Sequence, residues 1–159
     1  MLTKLLPDQI SQFWDLIKNA INESLPPTVG GHPDRMNRIL TSLIANKIDC
    51  WASYKRTEDM NSFEGLLLTQ ILYDDASNTR NLLIYCMYGY ESVDSESWNE
   101  GLRTLIKYAI GKGCNQVIAY SNIPNVINLA KRLGADTEYT FISFNVDEIV
   151  QKFNALDGE

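Results

Sequence analysis

The chain has 159 residues, of which 45% are hydrophobic and 21% are charged. This length supports one globular domain with its own core, so we expect a single domain over residues 1–159 rather than a disordered, collagen-like or coiled-coil chain. The net charge is −6, from 14 basic and 20 acidic side chains, and no cluster of Lys and Arg occurs. Composition therefore argues against a nucleic-acid partner.

The cysteines and the histidine limit the chemistry that the chain can support. Cys50, Cys86 and Cys114 are odd in number and far apart, which favours buried free thiols. No Cys-x-x-Cys pair occurs and His32 is the only histidine, so no metal site is predicted. A hydrolytic triad would need His32, which lies in a glycine- and proline-rich loop and would be a poorly oriented base.

Apolar periodicity in the first half predicts one strand, two amphipathic helices and three antiparallel strands. The first helix opens at Pro7 and has a buried stripe of apolar residues at helical spacing, namely Ile10, Phe13, Trp14, Ile17, Ala20 and Ile21. The second helix opens at Pro33. Short polar turns between the three strands favour an antiparallel meander. The strands are expected at residues 3–6, 49–54, 63–73 and 81–88.

The second half predicts a different order, in which helices and strands alternate. A helix capped by Ser95 or Ser97 should carry Trp98 on its apolar face and end at Gly113. A helix from Pro124 should end at Gly134, and a short helix is expected at residues 147–153. Strands are expected at residues 114–121 and 138–146. A strand, helix, strand run of this length implies a parallel pair, so the predicted sheet is mixed.

This order of elements, β-α-α-β-β-β-α-β-α-β, resembles the GNAT superfamily of acetyl-CoA-dependent acyltransferases. The last third carries the resemblance in sequence, with segments similar to the family's third helix, fifth strand and fourth helix at residues 101–114, 116–119 and 128–135. The resemblance implies an α/β (α+β) fold whose mixed, mostly antiparallel sheet is flanked by helices. Residues 82–85, Gly89, Trp98, Ala109 and Gly113-Cys114 also resemble a narrower group of small GNAT-like proteins encoded by bacteriophages.

In the family, the fourth and fifth strands splay apart and bind the pantetheine arm of acetyl-CoA, and the pyrophosphate lies at the amino end of the third helix. The resemblance therefore implies catalytic roles for Tyr85 and Tyr120, as donors of a proton to the leaving thiolate. The positions implied for cofactor binding are Cys86, Met87, Tyr88, Ser95, Ser97, Trp98 and Asn122. Packing, helix capping and turn formation are the alternative interpretations of these residues, and a buried inert thiol is favoured for Cys86.

The chain departs from the family where phosphate should bind. Residues 93–98 contain no glycine and no basic residue, whereas the family has a glycine-rich loop there. Asp94 and Glu96 would repel phosphate, and no Lys or Arg occurs between Asn81 and Leu102. Ala130 also stands where the family commonly has the tyrosine that acts as general acid. The phosphate-binding loop and this tyrosine are therefore missing together.

Two functional hypotheses follow from this combination, and enzymatic activity stays open between them. One is an acetyl-CoA-dependent N-acetyltransferase that acts on an amine of a small molecule or a protein, with Glu64, Glu91 or Glu138 as candidate bases. The other is a catalytically silent GNAT-fold phage protein with a structural role or a host protein partner. A module that binds another small ligand is a third alternative. Without a signal peptide or a membrane-spanning segment, we expect a location in the cytoplasm, of the host cell if the chain is phage-encoded, or in the virion.

Overall fold

The computed structural model describes residues 1–56, 61–89 and 93–158. The chain divides into two compact units, Met1–Tyr120 and the residues from Ser121 onward, and each unit is described by itself. The expectation of one domain over residues 1–159 stays a prediction. Glu91 lies outside the described residues. No helix among those that are described is long and apolar enough to cross a membrane.

The first unit contains a five-stranded sheet with the order β1-β2-β3-β4-β5. Neighbouring strands are antiparallel except β4 and β5, which are parallel. The mixed, mostly antiparallel sheet that the sequence predicts is therefore confirmed. Its elements are β1 (Leu2–Lys4), α1 (Pro7–Gln12), α2 (Trp14–Glu23), α3 (Arg35–Ile44), β2 (Asp49–Arg56), β3 (Asn61–Asp74), β4 (Thr79–Gly89), α4 (Ser95–Gly111) and β5 (Gln116–Ala119).

The helix expected from Pro7 onward is two helices, because the chain leaves helical geometry at Phe13, with φ −104° and ψ 20°. Phe13 is 42% exposed, so its place in the predicted buried stripe is wrong. Ile10, Ile17 and Ile21 of the same stripe are almost fully buried. The apolar spacing identified the buried face correctly, but it gave no sign of the break.

Side chains on the two faces of the sheet pack into two apolar clusters, as strand alternation requires. Leu66 and Leu68 of β3 pack with the residues of α1, α2 and α3, whereas Leu67 between them packs with the residues of α4. Each fully buried Leu or Ile contributes about 1.5 to 3 kcal/mol through loss of apolar contact with water. The helices thus cover both faces of the sheet.

The second unit contains two helices, α5 (Pro124–Arg132) and α6 (Val146–Asp157). Gly134 follows α5 with a φ of +92°, the left-handed geometry expected of a glycine that ends a helix. The strand predicted at residues 138–146 is wrong, because residues 135–145 form no strand and Val146 begins α6. No described segment of this unit offers a strand with which these residues could pair, and Tyr139, Ile142 and Phe144 are all at least 74% exposed.

Candidate functional site

The parallel pairing of β4 and β5 stops before β4 ends. Ile84 and Ala119 are the last aligned residues, and β5 ends there while β4 continues to Gly89. We call this place the fork: residues 85–89 on β4 and Tyr120 directly after β5. Because β5 does not cover residues 85–89, this edge of the sheet can offer backbone hydrogen bonds to an extended ligand. The splay that the resemblance implied stays a prediction, because the alignment stops where β5 itself ends.

A β-bulge lies at the start of the fork. Leu68 of β3 aligns with Cys86, and Thr69 aligns with Ile84, which leaves Tyr85 as the extra residue. Tyr85 is half-buried and packs against the cluster on the α1–α3 face. Burial, with a smaller contribution from Cys86, raises the pKa of the Tyr85 hydroxyl above its usual value. At neutral pH this hydroxyl is therefore protonated and can donate a proton.

The two tyrosines predicted to be catalytic occupy equivalent places at the fork. Tyr85 follows the last residue of β4 that is aligned with β5. Tyr120 follows the last residue of β5 and is 38% exposed. The topology thus brings to one place two residues that are 35 positions apart in the sequence. Their catalytic roles stay predictions.

Of the β4 residues predicted to bind the cofactor, Cys86 is 6% exposed and packs against the α1–α3 face. Burial raises the pKa of its thiol to about 11, so the thiol is protonated at neutral pH and is a poor nucleophile. Tyr88 packs against the same cluster, and Met87 is half-buried. These three residues can therefore serve a ligand along the fork chiefly through their backbone.

The amino end of α4 differs from the prediction. Asp94 is the N-cap residue, and its carboxylate accepts a hydrogen bond of 2.8 Å from the backbone N–H of Ser97. This bond lowers the pKa of Asp94, and the ammonium group of Lys55, 3.4 Å from the carboxylate, acts in the same direction. Capping by Ser95 or Ser97 is thus wrong: Ser95 is the exposed first residue of the helix. The cap places a negative charge at this helix end.

A second carboxylate, that of Glu64, also lies at the amino end of α4. Ser53 of β2 aligns with Gly65 and Tyr54 with Phe63, so Glu64 is the extra residue of a second bulge. Its side chain is only 4% exposed and accepts hydrogen bonds from the hydroxyl groups of Ser53, at 3.0 Å, and Ser97, at 3.2 Å. The Ser97 hydroxyl, predicted to contact a cofactor, is therefore bonded within the protein.

The remaining predicted residues lie in α4 and in the second unit. Trp98 is half-buried in the first turn of α4. Asn122 and Glu138 are exposed residues of the second unit. A surface cavity of about 250 Å³ lies between α2 and α3, away from the fork, and is lined by Asp15, Lys18, Asn19, Asn22 and Met36. The described residues include no group of three or more His, Cys, Asp or Glu side chains that could hold a metal ion.

No protein-family model matches the chain, and no curated protein is similar to it in sequence. Solved structures do match. A ribosomal-protein-alanine N-acetyltransferase from Brucella melitensis biovar Abortus superposes with a TM-score of 0.62 at 11% identity, over 91% of this chain and 99% of that one. An aminoglycoside acetyltransferase from an uncultured soil metagenomic sample, in complex with sisomicin, gives 0.59 at 17% identity, over 91% and 93%.

The same fold also occurs in a transcriptional regulator from Bacillus halodurans, with a TM-score of 0.65 at 9% identity, over 91% of this chain and 98% of that one. At these identities the matches establish a shared fold. They confirm the resemblance on which the sequence prediction rested, at the level of the fold.

Proposed function

We propose that this chain, which has the GNAT fold of N-acetyltransferases, holds an acyl thioester at the fork and transfers its acyl group to an amine of a small molecule or a protein. One observation carries the proposal: the pairing of β4 and β5 stops at Ile84 and Ala119, with a bulge at Tyr85. This arrangement leaves residues 85–89 of β4 beyond the alignment with β5.

The chemistry of a pantetheine thioester suits this edge. A pantetheine arm is extended and has two amide groups, which can pair with backbone N–H and C=O groups as an added strand would. Residues 85–89 extend for about 13 Å at the usual rise of a strand. The fork therefore fits the arm of acetyl-CoA, whereas the carboxylates of Asp94 and Glu64 do not fit its pyrophosphate.

A bound thioester supplies an acyl group that an amine can attack. The new bond joins nitrogen to the acyl carbon, the carbon–sulfur bond breaks, the nitrogen gives up a proton to solvent, and the leaving sulfur must receive one. Tyr85 is suited to provide it, since its hydroxyl is protonated at neutral pH and the residue lies at the start of the fork. Tyr120 is the second candidate by its position.

The test is acetyl transfer measured as thiol release, with acetyl-CoA and S-acetylpantetheine as donors and a panel of amines as acceptors. We expect Tyr85→Phe to lower kcat about 100-fold with little change in KM, because a positioned proton donor contributes about 10²–10⁴ to the rate. Tyr120→Phe shows whether the second hydroxyl shares this role. Tyr73→Phe is the matched control, since its hydroxyl bonds to Asn78 at the far end of β3. Full activity of both fork variants would refute the assignment of the tyrosines.

A catalytically silent GNAT-fold protein, with a structural or host-binding role in a phage, is the second candidate. The observation that favours it is the pair of carboxylates of Asp94 and Glu64 at the amino end of α4. If neither donor binds at millimolar concentration in calorimetry, acyl transfer is excluded and this second candidate is retained.

A further inference from the structure

We infer that the acyl donor is a pantetheine-type thioester without a diphosphate at the far end of its arm, because Glu64 and Asp94 place negative charge where that diphosphate would lie. This inference rests on the proposed function, and it names the class of donor that the fork selects. Three features support it. Residues 85–89 lead toward the amino end of α4, two carboxylates lie at that end, and both hydrogen-bonding groups of Ser97 are already bonded to them.

The open edge leads to the amino end of α4. Gly65 of β3 aligns with Gly89, the last residue of β4. The neighbour of Gly65, Glu64, bonds to Ser97 in the first turn of α4. The carboxyl end of β4 and the amino end of α4 are therefore adjacent, and an arm that follows residues 85–89 ends beside this helix turn.

At the amino end of α4, groups of the protein already bond to Ser97. The amino end of a helix attracts anions through its N–H groups and its dipole. Here Asp94 accepts the N–H of Ser97, and Glu64 accepts its hydroxyl. Both groups that Ser97 could offer to a phosphate are bonded to carboxylates.

The charges at this place would repel a diphosphate. Lys55 lies 3.4 Å from Asp94 and offsets part of one charge. Glu64 is bonded to the neutral hydroxyl groups of Ser53 and Ser97. Because its carboxylate is buried, salt screens its field less than it would screen that of an exposed group. An uncharged end of the arm meets no such repulsion.

The experiment compares the binding of acetyl-CoA and S-acetylpantetheine by calorimetry, since the two share the acyl group and the arm and differ in the nucleotide. We expect S-acetylpantetheine to bind wild-type protein at least fivefold more tightly than acetyl-CoA in low salt. Asp94→Asn and Glu64→Gln should each increase the affinity for acetyl-CoA about fivefold, because each removes one repulsive charge. The affinity for S-acetylpantetheine should not change.

Asp94→Asn keeps a good N-cap residue, so this variant remains informative even if Glu64→Gln does not fold. Asp75→Asn is the matched control, because it removes an exposed charge from the turn between β3 and β4 and should alter neither affinity. Tighter binding of acetyl-CoA by wild-type protein would overturn this inference and leave the proposed function standing. Failure of both donors to bind at millimolar concentration would overturn both.

Discussion

The carbonyl oxygen of Tyr88 lies 2.6 Å from the place that a β-carbon on Gly65 would occupy. β3 and β4 approach each other this closely at the end of the fork, next to the bulge that turns Glu64 toward α4. Only glycine fits without a shift of the backbone, because the obstructing atom belongs to the main chain and not to a flexible side chain.

Gly65→Ala should therefore lower the free energy of unfolding by about 1 to 3 kcal/mol, the usual cost of forcing an extra carbon into a packed site. Urea denaturation measures this change. Gly101→Ala is the matched control: no atom lies within 4 Å of a β-carbon there, and alanine in the middle of α4 should stabilise by about 0.5 to 1 kcal/mol. Equal stability of the two variants would contradict the predicted close approach.

The bond between Ser97 and Glu64 predicts a difference between two serines of one helix turn. Ser97→Ala removes a donor from a buried carboxylate and should cost about 1 to 2 kcal/mol of stability. Ser95→Ala changes an exposed hydroxyl in the same turn and should cost less than about 0.5 kcal/mol. Thermal and urea denaturation of both variants test this, and a larger loss for Ser95→Ala would contradict the arrangement.

The Tyr108 hydroxyl donates a hydrogen bond to the Asp49 carboxylate, which also pairs with Lys4 at 3.0 Å. Burial, together with this bond to Asp49, raises the pKa of Tyr108 above its ordinary value of 10.0. The folded state thus holds the phenolic proton more tightly than the unfolded chain, and the stabilisation is full below about pH 10 and is lost as the pH rises further.

Tyr108→Phe should cost about 1 kcal/mol at pH 7, and its stability should fall less steeply than that of the wild type above pH 10. Urea denaturation between pH 7 and 11 measures both effects. Tyr73→Phe again serves as the control, since this tyrosine is 52% exposed. Parallel stability profiles of wild type and Tyr108→Phe would show that the hydroxyl does not titrate as proposed.

Apolar spacing and turn residues were sufficient to predict most of the fold. The stripe of Ile10, Ile17 and Ile21 identified the buried face of the first helical segment, and Gly113 and Gly134 end their helices with a positive φ. A parallel pair was predicted from a strand, helix, strand run, and β4 and β5, which flank α4, form such a pair. These signals are local, so they can be read from the residues alone.

The bulges at Glu64 and Tyr85 were not predictable in the same way. A strand alternates its side chains between two faces, and one extra residue reverses that alternation. Nothing in the local sequence shows where the register of two strands shifts, so Glu64 was interpreted as a candidate base instead of a buried partner of Ser53 and Ser97. The local sequence shows only that a charged residue and a glycine precede the apolar run at residues 66–68, which does not identify a bulge.

At residues 138–146 the sequence predicted a strand that the structure does not form. Their alternating apolar pattern is typical of a strand, but a strand also needs a neighbour, and neighbours are a property of the fold. Asn145 instead caps α6 by accepting the N–H of Glu148 at 3.2 Å. Capping of this kind is a local signal that the predicted strand overlooked.

The short alignment of β5 has a consequence for the order in which the sheet opens. β5 is aligned with β4 only from Gln116 to Ala119, whereas β3 and β4 are aligned from Gly65 to Asp74 on β3. Local openings that expose backbone amides require the least free energy where the fewest bonds must break. Amide protons of β5 should therefore exchange with solvent deuterium sooner than those of β3. The fork would then widen by the separation of β5 from β4, while the pairing of β4 with β3 stays intact.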